Sequence, residues 1–288
     1  AALAERMADE LPENYFTAIL RGVADCLSQV KDTPPAIAFL QVVQLLRRVG
    51  RLPNRPCGRW VAYLIEKWKA QDWPDDIIDM VAWYAINDPD PEKELWKTPA
   101  GSGQFYYGGD PHHAGINSAR GSVAGAVAQL LFEKPSRFAR LKDVVHSLSH
   151  DRSVAVRACA IEALLPLLNF DSTTAIDWFK ECVVLDPVLY SGHLVEHFLH
   201  YAVERDYAGV RPVLEAMLGS SSEKVLAASA GQICVAALDD EAARPDADRV
   251  HSGTPPMRKA AADVYSTNIA HKVVGATCRS LLKPFFSD

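Results

Sequence analysis

Period-two alternation of apolar and polar residues, the mark of a half-buried strand, is nearly absent from these 288 residues. Sheet-based architectures are therefore not expected. No run approaches the roughly 18 consecutive apolar residues that a membrane helix needs, and no basic-then-apolar stretch opens the chain. The six cysteines, Cys26, Cys57, Cys159, Cys182, Cys234 and Cys278, lie far apart and form no C-x-x-C pair. That argues against a disulfide framework or a zinc-thiolate site and for reduced, buried thiols in a cytoplasmic protein. Cations are in deficit: 30 Lys and Arg against 36 Asp and Glu give a net charge of -6, which speaks against general nucleic-acid affinity. There is no G-x-x-x-x-G-K-[ST] phosphate loop and no G-x-G-x-x-G leaving a strand, so no nucleotide cofactor is expected.

What is present is helical. Apolar residues recur at helical spacing almost everywhere, and 49% apolar with 23% charged residues is the composition of a globular protein. All-α is the expected fold class. The first helix is expected over YFTAILRGVADCLSQV with a stop at Asp32 to Pro35, and the second over AIAFLQVVQLLRRVG, ending at Gly50 with Arg47 and Arg48 in its last turn. Then come RWVAYLIEKWKAQ and PDDIIDMVAWYAI, whose Trp60, Trp68, Trp83, Tyr63 and Tyr84 read as helix-helix packing. Asp75 and Asp76 after Pro74 mark the start of the second. The opening AALAERMADE, with its first Met at Met7, reads as a piece of a longer polypeptide.

One stretch differs from the rest. Thr98 to Gly121, TPAGSGQFYYGGDPHHAGINSARG, has five glycines before Ser118, together with Pro99 and Pro111, and reads as an ordered non-helical loop. Phe105, Tyr106 and Tyr107, with Asp110, His112 and His113, make it the first candidate for a partner contact. The aromatics are expected to be partly buried against neighbouring helices. Asn117 or Ser118 is expected to cap the next helix. Asp110, His112 and His113 also form a candidate metal set, although adjacent histidines on extended chain point apart. A plain structural plug is the competing reading.

From Ala119 a repeat is visible. ARGSVAGAVAQLL from Ala119 aligns with VRACAIEALLPLL from Val156, with weaker echoes at Tyr190, Val225 and Met257. A second helical segment follows each unit, such as RFARLKDVVHSL, TAIDWFKECVVL or YAGVRPVLEAML. One helical hairpin per unit, burying its apolar face only against its neighbours, describes an α-solenoid. The expected division is 1–97 irregular helical repeats, 98–118 inserted loop, and 119–288 regular repeats.

At DRSVAVRACAIEALLPLL the residues resemble the HEAT repeat: Asp151, Val156, Arg157, Ala160, Ala163 and Leu164 match its pattern, whereas Tyr190, His193 and Gly231 depart from it. An Arg pairing with the Asp of an adjacent repeat would build a ladder along the stack. A looser resemblance spans most of the chain. The succession from WYAINDPDPEKELW through the loop to DRSVAVRACAIEALLPLLNFD is similar to the C-terminal helical-repeat region of large bacterial signal-transduction ATPases of the STAND/NACHT type, several of which act in antiphage defence. That resemblance implies a non-catalytic sensor arm contacting a protein partner or other domains of its own chain.

Two further patterns carry chemistry. His193-Leu-Val-Glu196-His197 satisfies H-x-x-E-H, in which histidines four apart can share a zinc ion while the glutamate acts on bound water; His200 extends that face. A third ligand would have to come from Glu204, Glu215, Glu223 or Glu241, none in a telling context. A zinc hydrolase is thus one alternative function. Arg47, Arg48, Arg51, Arg55 and Arg59 form a candidate anion or nucleic-acid patch, whose simpler reading is a solvated loop capping helix ends.

Overall fold

Helical spacing in the sequence becomes helix almost throughout. The computed structural model describes residues 15–28, 36–101 and 103–286, and it is all-α, with fifteen α-helices and a single short strand pair among the described residues. The first four are α1 (Phe16–Ser28), α2 (Ala36–Val49), α3 (Gly58–Lys67) and α4 (Asp75–Asn87), close to the expected segments. The stop expected at Asp32 to Pro35 lies outside the described residues. Trp68 and Tyr84 are buried, as is Trp73, and Phe39 meets the Trp73 ring edge-on with centroids 4.9 Å apart. Those aromatics are packing, while Trp60 and Trp83 are half-buried.

The chain divides into two compact units between Leu167 and Leu168. In the first, α5 (Pro111–Gly115), α6 (Ala119–Glu133), α7 (Phe138–Ser149) and α8 (Val154–Leu164) follow the first four helices. Successive contacts join α1, α3, α6 and α8 in one layer and α2, α4 and α7 in the other, the order of stacked helical hairpins. Ion pairs cross the second layer: Arg47 to Asp76 at 2.6 Å, and Arg140 to Asp75 and Asp79 at 2.6 Å each. Exposed pairs of this kind add little apiece, so the stack rests on its apolar seam. That seam is dense because α8 is buried from Val154 to Ile161 and α6 buries ten residues, many of them Ala or Gly.

An inter-repeat ladder rung is present. Arg120, at the start of α6, reaches Asp151 at the start of the next hairpin through two bonds, Nε to Oδ2 at 2.8 Å and Nη2 to Oδ1 at 3.2 Å. The same guanidinium donates to the carbonyls of Asp88 at 2.6 Å and Pro91 at 3.2 Å. Arg157, one repeat on, donates to the Asp151 carbonyl at 2.6 Å. Arg120 and Arg157 thus make equivalent bonds to the turn before their helix, except that 26 more residues intervene for Arg120. The loop is therefore an insertion into one hairpin turn, and α3 and α6 stack directly on either side of it.

The second unit contains α9 (Ser172–Val184), α10 (His193–Ala202), α11 (Tyr207–Leu218), α12 (Glu223–Ala236), α13 (Arg244–His251), α14 (Pro255–Thr267) and α15 (Gly275–Leu282). Contacts run from α10 to α12 to α14 and from α9 to α11, again as alternating layers. Phe179 and Phe198 stack at its core with ring centroids 4.1 Å apart. The repeat segment read from Tyr190 starts later than expected: Pro187–Ser191 is a 3-10 turn and the helix begins at His193, because extended Gly192 stands at the cap position. Asp246 is buried and bonded by Tyr207 Oη at 2.8 Å and Arg211 Nη2 at 3.2 Å. Burial alone would raise its pKa, but the bonds from Tyr207 and Arg211, with the charges of Arg211 and Arg249, hold the carboxyl below its ordinary value.

Candidate functional site

The stretch from Thr98 onward is more structured than its glycines suggest. Pro99–Gly101 and Gln104–Phe105 pair antiparallel as β1 and β2, and the Tyr106 amide donates to the Thr98 carbonyl at 3.1 Å. Gly101 at φ +94° and Gly103 at φ +77° occupy the left-handed region that turns the chain back. A tight turn, Tyr106–Gly109, follows with Tyr107, Gly108 and Gly109 all at positive φ. Tyr107, at φ 54°, adopts a conformation that costs an L-residue about 1–2 kcal/mol.

The expectation that this whole stretch is non-helical fails at Pro111–Gly115, which forms the one-turn helix α5. Asp110 supplies the reason. Its Oδ1 accepts from the His112 amide at 2.8 Å and the His113 amide at 3.4 Å, and Pro111 sits in the first turn, where its missing N–H costs nothing. Asp110 is therefore a helix cap, with His113 Nδ1 3.9 Å from its other oxygen. His112 is half-buried and His113 exposed. Ser118 caps α6 as expected, accepting from the Gly121 amide at 3.2 Å, while Asn117 accepts from Arg59 Nη2 at 2.7 Å instead.

The three consecutive aromatics turn outward. Phe105 and Tyr106 are each 49% exposed and Tyr107 38%, so each is partly covered and partly open to solvent, and Ile116 nearby is 44% exposed. Tight packing belongs to the following residues: Ala114 and Gly115 are buried, and a Cβ on Gly115 would lie 2.3 Å from the Ala155 carbonyl oxygen. The loop is thus anchored by α5 and presents its aromatic tip to solvent.

The acidic turn Asp88 to Glu94 completes the anchorage, a role the sequence reading missed. Asp90 Oδ2 accepts from the Ala119 amide at 2.6 Å, and Glu94 Oε1 accepts from the Val154 amide at 2.9 Å. Carboxylates at the first turns of α6 and α8 meet free amide donors and the positive end of each helix dipole. Glu94 Oε2 also accepts from Trp96 Nε1. The available signal was composition alone: four acids within seven residues, Asp88, Asp90, Glu92 and Glu94.

Of the arginine patch, Arg47, Arg51 and Arg55 come together around one cavity, and Arg59 is directed toward Asn117. Arg48 is half-buried. Arg55 lies over the Trp83 ring at 4.5 Å, with Asn54, Arg55 and Cys57 all at positive φ. His193, Glu196, His197 and His200 are exposed along one side of α10, and His193 and His197 gather no third His, Cys, Asp or Glu ligand among the described residues. Of the cysteines, Cys159, Cys182, Cys234 and Cys278 are buried, but Cys26 is exposed and Cys57 half-buried, so the expectation of buried thiols holds for four. Burial drives Cys159 well above the ordinary thiol range.

A second feature absent from the sequence reading lies between α3, α6 and α8. Glu66 and Glu162 flank Gly125, whose Cβ would stand 3.6 Å from one carboxylate and 3.7 Å from the other. Gln129 donates to Glu162 at 3.4 Å and accepts from Lys69 at 2.8 Å. Burial, then the charge of Glu66, raises the Glu162 pKa, against the Gln129 bond and the charge of Lys69.

Fold and site together describe an all-α protein of stacked helical hairpins with one structured aromatic insertion. The chain matches no protein-family model, no curated protein and no solved structure. Among the described residues no helix is long and apolar enough to cross a membrane.

Proposed function

We propose that this chain is a non-catalytic recognition module of HEAT-like hairpins, binding a protein partner or another part of a longer polypeptide. The observation that carries this reading is the aromatic tip: Phe105, Tyr106 and Tyr107 stand exposed in sequence while strand pairing, the Asp110 cap and the Gly115 contact hold their backbone in place. Rigid, solvent-facing aromatics bring large contact area at low ordering cost, the property of interface hot spots. Ile116 extends the apolar surface, and Asp110, His112 and His113 supply a polar rim. Stacked hairpins suit such a role because each repeat contacts only its neighbours and leaves one surface free.

On the resemblance of the sequence to the helical-repeat region of STAND/NACHT-type ATPases, we place the chain in the cytoplasm as the sensor or regulatory arm of a bacterial antiphage-defence protein. The test uses the full-length protein, with and without the triple substitution Phe105→Ala, Tyr106→Ala and Tyr107→Ala. Capture of its partner, measured beside thermal unfolding, should fall at least about tenfold, one decade of affinity, with unchanged stability. Undiminished capture by a folded triple variant would refute the assignment of the tip.

A further inference from the structure

We propose that the cavity between the end of α2 and the start of α4 is a binding site for a small phosphate-class anion. The cavity has a volume of about 330 Å³ and is lined by Arg47, Arg51, Arg55, Asp76, Asp79 and Met80, among others. Its charges do not cancel. Asp76 is held by Arg47 through two bonds, Nε to Oδ2 at 2.6 Å and Nη2 to Oδ1 at 3.1 Å. Asp79 is held by Arg140 at 2.6 Å, from outside the cavity lining. Asp76 is thus paired with Arg47, Asp79 shares the Arg140 guanidinium with Asp75, and Arg51 and Arg55 face the cavity with no carboxylate partner among the described residues.

Geometry supports a planar fork over a loose charge. Arg55 lies over the Trp83 ring at 4.5 Å, a cation–π contact that restrains its guanidinium. The backbone that delivers it is held in left-handed geometry at three non-glycine residues, Asn54, Arg55 and Cys57, a strain that persists only where the surroundings impose it. Two guanidiniums lining one small cavity, one of them held over an indole ring, can offer paired N–H donors to the tetrahedral oxygens of a phosphate or pyrophosphate group. The overall charge of -6 leaves long nucleic-acid tracts poorly attracted, so a compact anion is the favoured occupant. This site is independent of the aromatic tip and of the recognition role proposed for it.

Isothermal titration of the full chain with pyrophosphate as the probe tests the proposal. Saturable binding is expected below about 1 mM, weakened about tenfold or more by Arg51→Ala or Arg55→Ala, each variant being checked for unchanged circular dichroism. Asp76→Asn should tighten binding, because it releases Arg47 toward the cavity, whereas Arg59→Ala should leave it unchanged. No saturable heat up to about 10 mM, or equal binding by wild type and both arginine variants, overturns the site. Duplex DNA bound more tightly than pyrophosphate, and lost with the same variants, would replace the small anion by a nucleic-acid backbone and overturn the proposed occupant.

Discussion

Two glycines on α6, Gly121 and Gly125, are one turn apart and should respond in opposite senses to the same substitution. A Cβ on Gly121 would stand 2.2 Å from the carbonyl oxygen of Gly115, 2.6 Å from its carbonyl carbon and 2.8 Å from its Cα. All three are backbone atoms of α5, which is itself wedged against the Ala155 carbonyl, so α5 must move by about 1 Å to admit a methyl. Overpacking of that kind costs about 1–3 kcal/mol or more, against which alanine returns up to about 1 kcal/mol of helix propensity. A net loss of about 2 kcal/mol lowers Tm by roughly 4–8 °C for a unit of this size. At Gly125 the nearest atoms are the carboxylate tips of Glu66 and Glu162 at 3.6 and 3.7 Å, which is ordinary contact with movable groups. Gly125→Ala should therefore gain about 0.5–1 kcal/mol, trimmed by the methyl shielding two charged groups from water. Urea titration followed by far-UV circular dichroism reads both variants. Shifts of the same sign, or a Gly121→Ala protein as stable as wild type, would refute the close α5–α6 crossing.

Arg120→Ala should cost about 3–5 kcal/mol, because it strands the half-buried Asp151 carboxylate and two carbonyls; Arg120→Lys should recover only part of that, lacking the fork. An Arg120→Lys protein with the thermal stability of wild type would show that charge alone sufficed. Glu162 makes a pH-dependent prediction. Its folded pKa is raised, so the folded state holds the proton more tightly, and its contribution to stability falls as pH climbs from the ordinary glutamate range through the raised value. Glu162→Gln should then raise the unfolding midpoint at pH 7 and leave it near wild type at pH 4. Identical gains at both pH values would mean that Glu162 titrates normally.

Helices were legible in the sequence because most repeat an apolar stripe and α6 and α8 are apolar nearly all round, and α1 to α4 and α6 to α12 fall close to where that pattern placed them. The Arg120–Asp151 rung was legible too, since the resemblance of 151–164 to a known repeat predicts an Arg facing an Asp of the neighbouring hairpin. What escaped depends on contacts between distant segments. Nothing local marks Glu66 and Glu162 as neighbours, and Gly125 only becomes their floor once α3, α6 and α8 align. The α5 turn escaped because glycine and proline content outweighed one local signal, an Asp–Pro pair opening a helix. The aromatic tip was expected at least partly buried and as a contact site; positive φ at Tyr107 and four glycines shapes the turns that leave it half open to solvent.

The insertion that bears this tip leaves and rejoins the stack at nearly one point: Asp90 bonds the amide of Ala119 through its side chain and that of Arg120 through its carbonyl, at 2.6 and 3.1 Å. Farther out, Thr98 and Tyr106 close a second, smaller neck. Lengthening a closed excursion of this kind costs only about 0.6 kcal/mol per doubling. The stack can therefore accept an insertion of altered length or sequence at this point while the load of folding stays in the helices, a socket in which one tip can be exchanged for another.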